Sequence, residues 1–290
     1  MSRIEMAMEK AARLRENGGQ PPEQEQAKAR TDSSPAAAAP LPREAESAPP
    51  VVPASQALSP KDPFLATIHD PHSQAAEEYR KLKSMLVKLT DGENFKNTIM
   101  VTSSVPREGK SLTALNLAVT LAQGLDHTVL LVDADLRRPS LHEYLGIAQG
   151  TGLSDILKGE AEISQTIVQT GIGKLAVIRG GSQVDNPVEL FSSQKMRGVV
   201  DELKMRYPDR YIIFDTPPVL PFAESRALAN VVDGVLFVVK ERLASQTEIR
   251  EAYDHLKGSG LLGVVYNAAE APAGDERYSY YKHYQKTPVS

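Results

Sequence analysis

Thr102-Ser103-Ser104-Val105-Pro106-Arg107-Glu108-Gly109-Lys110-Ser111 follows an apolar run, Ile99-Met100-Val101, and opens a pattern in which Leu112, Leu115, Val119 and Ala122 share one helical face. The order is strand, loop, helix, which is what a phosphate-binding loop requires. Backbone N–H groups from Ser104 through Leu112 can converge on phosphate oxygens at the positive end of a helix dipole. Lys110 is placed to reach the outer phosphates, and the Ser111 hydroxyl to take one position on Mg²⁺. The loop departs from G-x-x-x-x-G-K-[ST] at one place, where Ser104 stands for the first glycine.

Two later stretches repeat the theme of an apolar strand ending in acid. Leu130-Leu131-Val132 runs into Asp133-Ala134-Asp135-Leu136-Arg137, and Ile212-Ile213-Phe214 runs into Asp215-Thr216-Pro217-Pro218. In a parallel α/β sheet such strands deliver their last residues to the edge where ligands bind. Mg²⁺ keeps several waters and needs only one or two protein oxygens beside the phosphates, so Ser111 with Asp133, Asp135 or Asp215 suffices. Pro217-Pro218 stops the strand from continuing. ATP and Mg²⁺ are therefore the expected ligands.

The strand patterns lie at 98–102, 128–132, 175–178, 211–214, 234–239 and 262–266, each a short apolar or β-branched run without alternation, as in strands covered on both faces. Helical patterns at 111–123, 187–206 and 246–258, with shorter ones near 139–145, 153–158 and 223–230, fall between them. Alternating strands and helices give right-handed crossovers and a doubly wound, mostly parallel sheet. The fold class is α/β: a P-loop NTPase with deviant Walker motifs.

Around that domain the composition changes. Residues 1–16 set Ile4, Met8, Ala11 and Leu14 on one side of an amphipathic helix. Residues 17–62 are rich in proline, alanine, serine and glutamate, and read as a disordered tether. The nucleotide domain is expected over 63–270. Its first helix, 73–90, has Ser73 as N-cap and puts Glu77, Arg80 and Lys83 on neighbouring positions of one face. Residues 271–290 form a flexible tail in which Tyr278, Tyr280, Tyr281 and Tyr284 gather four of the ten tyrosines into seven positions.

The net charge of −4 gives no general attraction to nucleic acid. Cysteine is absent, which removes disulfides and thiolate metal sites and fits a reducing cytoplasm. No charge-poor stretch of about 18 residues and no leader pattern is present, so a soluble chain is expected.

Lys110, Mg²⁺ and the backbone cradle neutralise charge on a transferring phosphoryl group, and the acceptor then decides the outcome. Water would make an ATPase switch; a phenol would make a kinase. A mobile terminus rich in tyrosine suits a substrate, and Asp133 or Asp135 could take the phenolic proton.

Taken together, residues 103–111, Asp133-x-Asp135-x-Arg137, Asp215-Thr216-Pro217-Pro218, Asn186-Pro187-Val188-Glu189-Leu190 and the terminal tyrosines resemble the bacterial tyrosine kinases that control exopolysaccharide and capsule synthesis. The resemblance covers roughly residues 70–290. It implies autophosphorylation of the tail between subunits of a ring, with the Glu77-x-x-Arg80-x-x-Lys83 helix contacting the neighbour. Lys83 stands where the family pattern has arginine. The related cell-division-site and plasmid-partition ATPases carry a lysine where this chain has Val105, and they define the alternative, a non-kinase switch. Further implications are a membrane-anchored polysaccharide co-polymerase as activator, a cognate phosphatase, and a cytoplasmic position at the inner face of the membrane held through that partner. The N-terminal segments are similar to those of stand-alone, exosortase-associated autokinases.

Overall fold

The computed structural model describes residue 60 and residues 62–92, 94–207 and 209–270. The expected helix over 1–16, the tether apart from residues 60 and 62, and the tail over 271–290 lie outside the described residues.

The centre is a seven-stranded sheet in the order β3-β4-β2-β5-β1-β6-β7. Its strands are β1 (Thr98–Ser103), β2 (Thr128–Asp133), β3 (Ile167–Gln169), β4 (Leu175–Ile178), β5 (Arg210–Asp215), β6 (Gly234–Lys240) and β7 (Leu261–Asn267). Every pairing is parallel except β3 with β4. All six residues of β1 are buried, because the sheet is covered on both sides and each apolar run sends alternate residues to opposite layers. Ile99, Val101, Val129, Leu131, Tyr211 and Ile213 enter one layer. Met100, Leu130, Val132, Ile212 and Phe214 enter the other.

The first layer is closed by α1 (Ala66–His69), α2 (Gln74–Thr90), α3 (Lys110–Ala122) and α4 (Leu141–Leu145). The Ser73 hydroxyl caps α2 by accepting from the Ala76 N–H, as its sequence position predicts. Helix α3 is buried almost all round, since the sheet lies beneath it and α1 and α2 lie above. Asn116 fastens that upper contact: its amide donates to the Phe64 carbonyl, and its oxygen accepts from the Thr67 N–H and hydroxyl. The second layer holds α5 (Leu153–Lys158), α6 (Ile163–Thr166), α7 (Pro187–Ser192), α8 (Gln194–Arg206), α9 (Ala223–Ala229) and α10 (Gln246–His255).

The structure adds the one-turn helices α1 and α6, which the sequence pattern does not mark, and differs from the sequence expectation in two further places. The helix expected over 187–206 is two helices, broken at Ser193, whose backbone is extended (φ −75°, ψ 159°). The Ser193 hydroxyl donates to the Leu190 carbonyl and accepts from the Met196 N–H, so one side chain ends α7 and caps α8. Strand β3 is the other difference. It is three residues long, too short to show a period, and it is held by antiparallel pairing to β4.

Strand β1 lies between β5 and β6 and continues through α3 to β2, which pairs on the far side of β5. This arrangement brings the carboxyl ends of β1, β2 and β5 together at one edge of the sheet. No helix among the described residues is long and apolar enough to cross a membrane.

Candidate active site

The loop between β1 and α3 is shaped by its own side chains and by the end of β7. Gly109 has φ +90°, a region glycine enters without cost. A Cβ there would also come within 2.1 Å of the Asn267 amide nitrogen. That amide donates to the Glu108 carbonyl at 2.8 Å. The Glu108 side chain is wholly buried. Its carboxylate accepts from the Val105 N–H at 2.8 Å and from the Lys240 N–H at 3.3 Å, tying the loop to itself and to β6. Glu108, a candidate nucleotide contact in the sequence, thus spends its carboxylate on loop shape. Arg107 holds a positive φ of 72°. Ser104 is buried where the first glycine of the pattern would be, and its carbonyl accepts from the Leu220 N–H.

Lys110 opens α3 and reaches across to the acids. Its ammonium lies 2.9 Å from Asp135 Oδ2 and 3.7 Å from Asp215 Oδ1, and it donates to the Ser111 hydroxyl at 3.1 Å. Asp133 and Asp215 are register partners at the ends of β2 and β5, and both are wholly buried. Asp133 Oδ2 accepts from the N–H groups of Ser140 and Leu141, the first turn of α4. Its Oδ1, and both oxygens of Asp215, have no hydrogen-bond partner among the described residues. Burial pushes the Asp133 carboxyl up to about 8, with the Asp215 charge adding to the rise and the two backbone donors opposing it. Burial likewise raises Asp215, against the pull of Lys110. For Lys110 burial disfavours the charge, but Asp215 and Asp135 outweigh it and hold the ammonium above its usual range.

Three carboxylates facing one ammonium, with three buried acceptor oxygens left over, is a donor set that fits a divalent cation. Mg²⁺ draws most of its shell from phosphate and water, so Ser111 with one or two of these carboxylates suffices.

Above this cluster opens a cleft of about 590 Å³, with Lys110, Ser111, Asp135, Arg138, Tyr144 and Phe222 in its wall. Pro106, Arg107, Gly109 and Leu112 line it on the loop side. Arg137 lines it too, but its guanidinium is paired with the buried Glu224 and lies over the Phe222 ring, 4.7 Å from the centroid. The exit from β5 is fixed by hydroxyls: Thr216 donates to the Val101 carbonyl, while Thr102 and Ser225 both donate to the Pro217 carbonyl.

Of the residues singled out in the sequence, Lys110, Ser111, Asp133, Asp135 and Asp215 meet at this edge. Glu77, Arg80 and Lys83 lie elsewhere, on α2: Glu77 pairs with Arg80, and Lys83 donates to the Thr120 carbonyl at 3.2 Å near the end of α3. The four tail tyrosines fall outside the described residues. Asn267 was not anticipated. Its signal is faint, a polar residue at the carboxyl end of the last strand.

A family model described as an AAA domain matches residues 97–257. The tyrosine-protein kinase YwqD of Bacillus subtilis is 34% identical over 214 residues, covering 73% of this chain and 88% of that protein. The solved kinase domain of the Escherichia coli tyrosine kinase ETK is 30% identical, with a TM-score of 0.66 over 73% of this chain and 84% of that one. The septum site-determining protein MinD of Pyrococcus horikoshii shares the fold at 23% identity, with a TM-score of 0.52 over 66% of this chain and 78% of that one. Motifs, sheet order and relatives agree, and the chain belongs to the bacterial tyrosine kinase family.

Proposed function

We propose that this chain is a protein-tyrosine autokinase that transfers the γ-phosphoryl group of ATP to Tyr278, Tyr280, Tyr281 and Tyr284 of another copy. The observation that carries the reading is Asp133: a buried carboxylate, one oxygen fixed by two backbone N–H groups and the other unpartnered, beside Lys110 and Asp215. The phenolic oxygen attacks the γ-phosphorus, the bond from that phosphorus to the β,γ-bridging oxygen breaks, and ADP leaves. Asp133 Oδ1 accepts the phenolic proton. A carboxyl whose pKa is lifted toward the working pH is a better base for a phenol than an ordinary aspartate. Lys110 balances charge on the phosphoryl oxygens, and the loop from Ser104 to Leu112 orients them. Mg²⁺ would be held by Ser111 with Asp215 or Asp135, and when bound it neutralises phosphate charge.

In this reading the tail is the regulated element of an exopolysaccharide system. A membrane-anchored co-polymerase activates the kinase at the inner face of the membrane, and Glu77, Arg80 and Lys83 contact the next subunit of a ring. A phosphatase reverses the modification. Each phosphotyrosine adds roughly −1.5 to −2 charges, so a heavily modified tail repels the acidic site and loosens the ring. Incubation with γ-labelled ATP and the activator's cytoplasmic segment tests it: label is expected on the tail, and label that survives replacement of all four tyrosines by phenylalanine would contradict it.

A further inference from the structure

A second polar cleft, of about 450 Å³, adjoins the first and shares Arg137, Pro139 and Glu143 with it. Its far wall is Arg179-Gly180-Gly181, just past the end of β4. A Cβ on Gly180 would overlap Pro139 and come within 3.8 Å of Asp133 Cγ, so this wall packs against the candidate base from the side away from the phosphate loop. Arg179 is the notable cation. Its guanidinium rests on Gly150, where a Cβ would lie only 2.6 Å from Nη1. Among the described residues it donates once, to the Ala148 carbonyl at 3.0 Å. Its Nε is buried without a hydrogen-bond partner, and no carboxylate pairs with it among the described residues.

The acceptor segment carries the matching charge. Asp275 and Glu276 stand three and two residues ahead of Tyr278, roughly 7–10 Å along an extended chain. Arg277 follows them, and Glu143, on the rim common to both clefts, is of opposite sign to it. Resting on the kinase reading above, we infer that this second cleft binds the acceptor segment of a second copy, with Arg179 pairing the Asp275 and Glu276 carboxylates while Tyr278 points to Asp133.

Chain length favours a segment from another copy. The Glu270 N–H donates to Glu241, and Arg242 pairs with both Glu241 and Glu270, so the start of the tail is held beside the end of β6. From β6 to β4 the sheet crosses β1, β5 and β2, four spacings of about 4.8 Å, or about 19 Å. The five residues from Glu270 to Asp275 reach about 17 Å only when fully extended, so a tail serving its own cleft would run taut across the intervening loops, whereas the segment of a second copy needs no such stretch.

The test uses two full-length copies. One is a kinase whose four tail tyrosines are phenylalanine, and the other is an acceptor carrying Lys110→Met, which keeps its tail. Labelling rate is followed against acceptor concentration. Asp275→Lys with Glu276→Lys in the acceptor, which leaves the kinase copy untouched, is expected to raise KM at least tenfold, the loss falling on KM more than on kcat. Arg179→Glu in the kinase copy should do the same, Arg179→Lys much less, and pairing Arg179→Glu with the lysine-bearing acceptor should recover most of the loss. An unchanged KM for the lysine-bearing acceptor, or no recovery in the swapped pair, would overturn the assignment of Arg179 alone. No label from the unmodified pair would overturn the kinase reading, and this inference with it.

Discussion

Asp133 and Asp215 stand opposite each other at the ends of two adjacent parallel strands, both wholly buried, with three of their four oxygens lacking a hydrogen-bond partner among the described residues. Lys110 is the cation within reach, 3.7 Å from Asp215 and 2.9 Å from the neighbouring Asp135. Unpartnered buried carboxyl groups are costly, as charge or as a retained proton, and the strands keep them at the edge where the phosphate loop ends. A cation and a phosphoryl group bound there would remove the cost.

The first prediction concerns pH. Asp133 keeps its proton in the folded chain up to about 8, while an unfolded aspartate loses it near 4. Between those values the unfolded chain binds fewer protons, so the contribution to stability is complete below pH 4 and is lost as pH rises toward 8. The nucleotide-free protein should melt at lower temperature at pH 8 than at pH 5, by at most about 1.4 kcal/mol per pH unit from this one group. Asp133→Asn should flatten the profile. Melting curves across this range, with and without Mg²⁺ and ATP, provide the check, and saturating ligand should also flatten it.

Lys110→Met should abolish phosphotransfer and also lower stability near pH 8, because it strips the ammonium from Asp135 and Asp215 and leaves buried carboxylates uncompensated. The loss is on the order of 3–5 kcal/mol. Denaturant unfolding beside a phosphotransfer assay separates the two effects.

The Asn267 contact gives a third expectation. Asn267→Ala removes the bond to the Glu108 carbonyl and should cost about 1 kcal/mol of stability, with a several-fold loss of nucleotide affinity as the loop loosens. Gly109→Ala should cost at least tenfold in affinity, through both its φ of +90° and its overlap with Asn267. Combining the two should relieve the overlap but not the backbone strain, so the pair should be non-additive and still impaired. Titration calorimetry with nucleotide on all four proteins closes the cycle.

Glu108→Ala tests whether the glutamate shapes the loop. It leaves the Val105 and Lys240 N–H groups without their acceptor and opens a cavity, for an expected cost of about 2–3 kcal/mol. Nucleotide affinity should fall while Glu108→Asp, too short to bridge both donors, falls in between.

Much of this was legible in the sequence, for identifiable reasons. The central strands β1, β2, β5 and β6 are apolar runs of six or seven residues; Asp133 and Asp215 end β2 and β5, and Lys110 opens the helix that follows β1. Proximity follows once the strands are parallel. Ser193 was hidden because Ser192-Ser193 interrupts a helical pattern without glycine or proline, and only the hydroxyl's two bonds reveal the break. The meeting of Asn267 with Gly109, far apart in sequence, depends on β7 lying beside β6 and leaves no periodic trace. Arg179 leaves no trace for a similar reason: it follows β4 as an ordinary charged residue, and only the packing of Gly180 beside Asp133 brings it next to the site.

The most direct test of the central claim is mass spectrometry of the purified chain before and after incubation with Mg²⁺ and ATP. Phosphate is expected on Tyr278, Tyr280, Tyr281 or Tyr284 and absent from the Lys110→Met protein. Release of inorganic phosphate with no modified tyrosine beyond residue 275, under conditions where the activator segment is present, would contradict it.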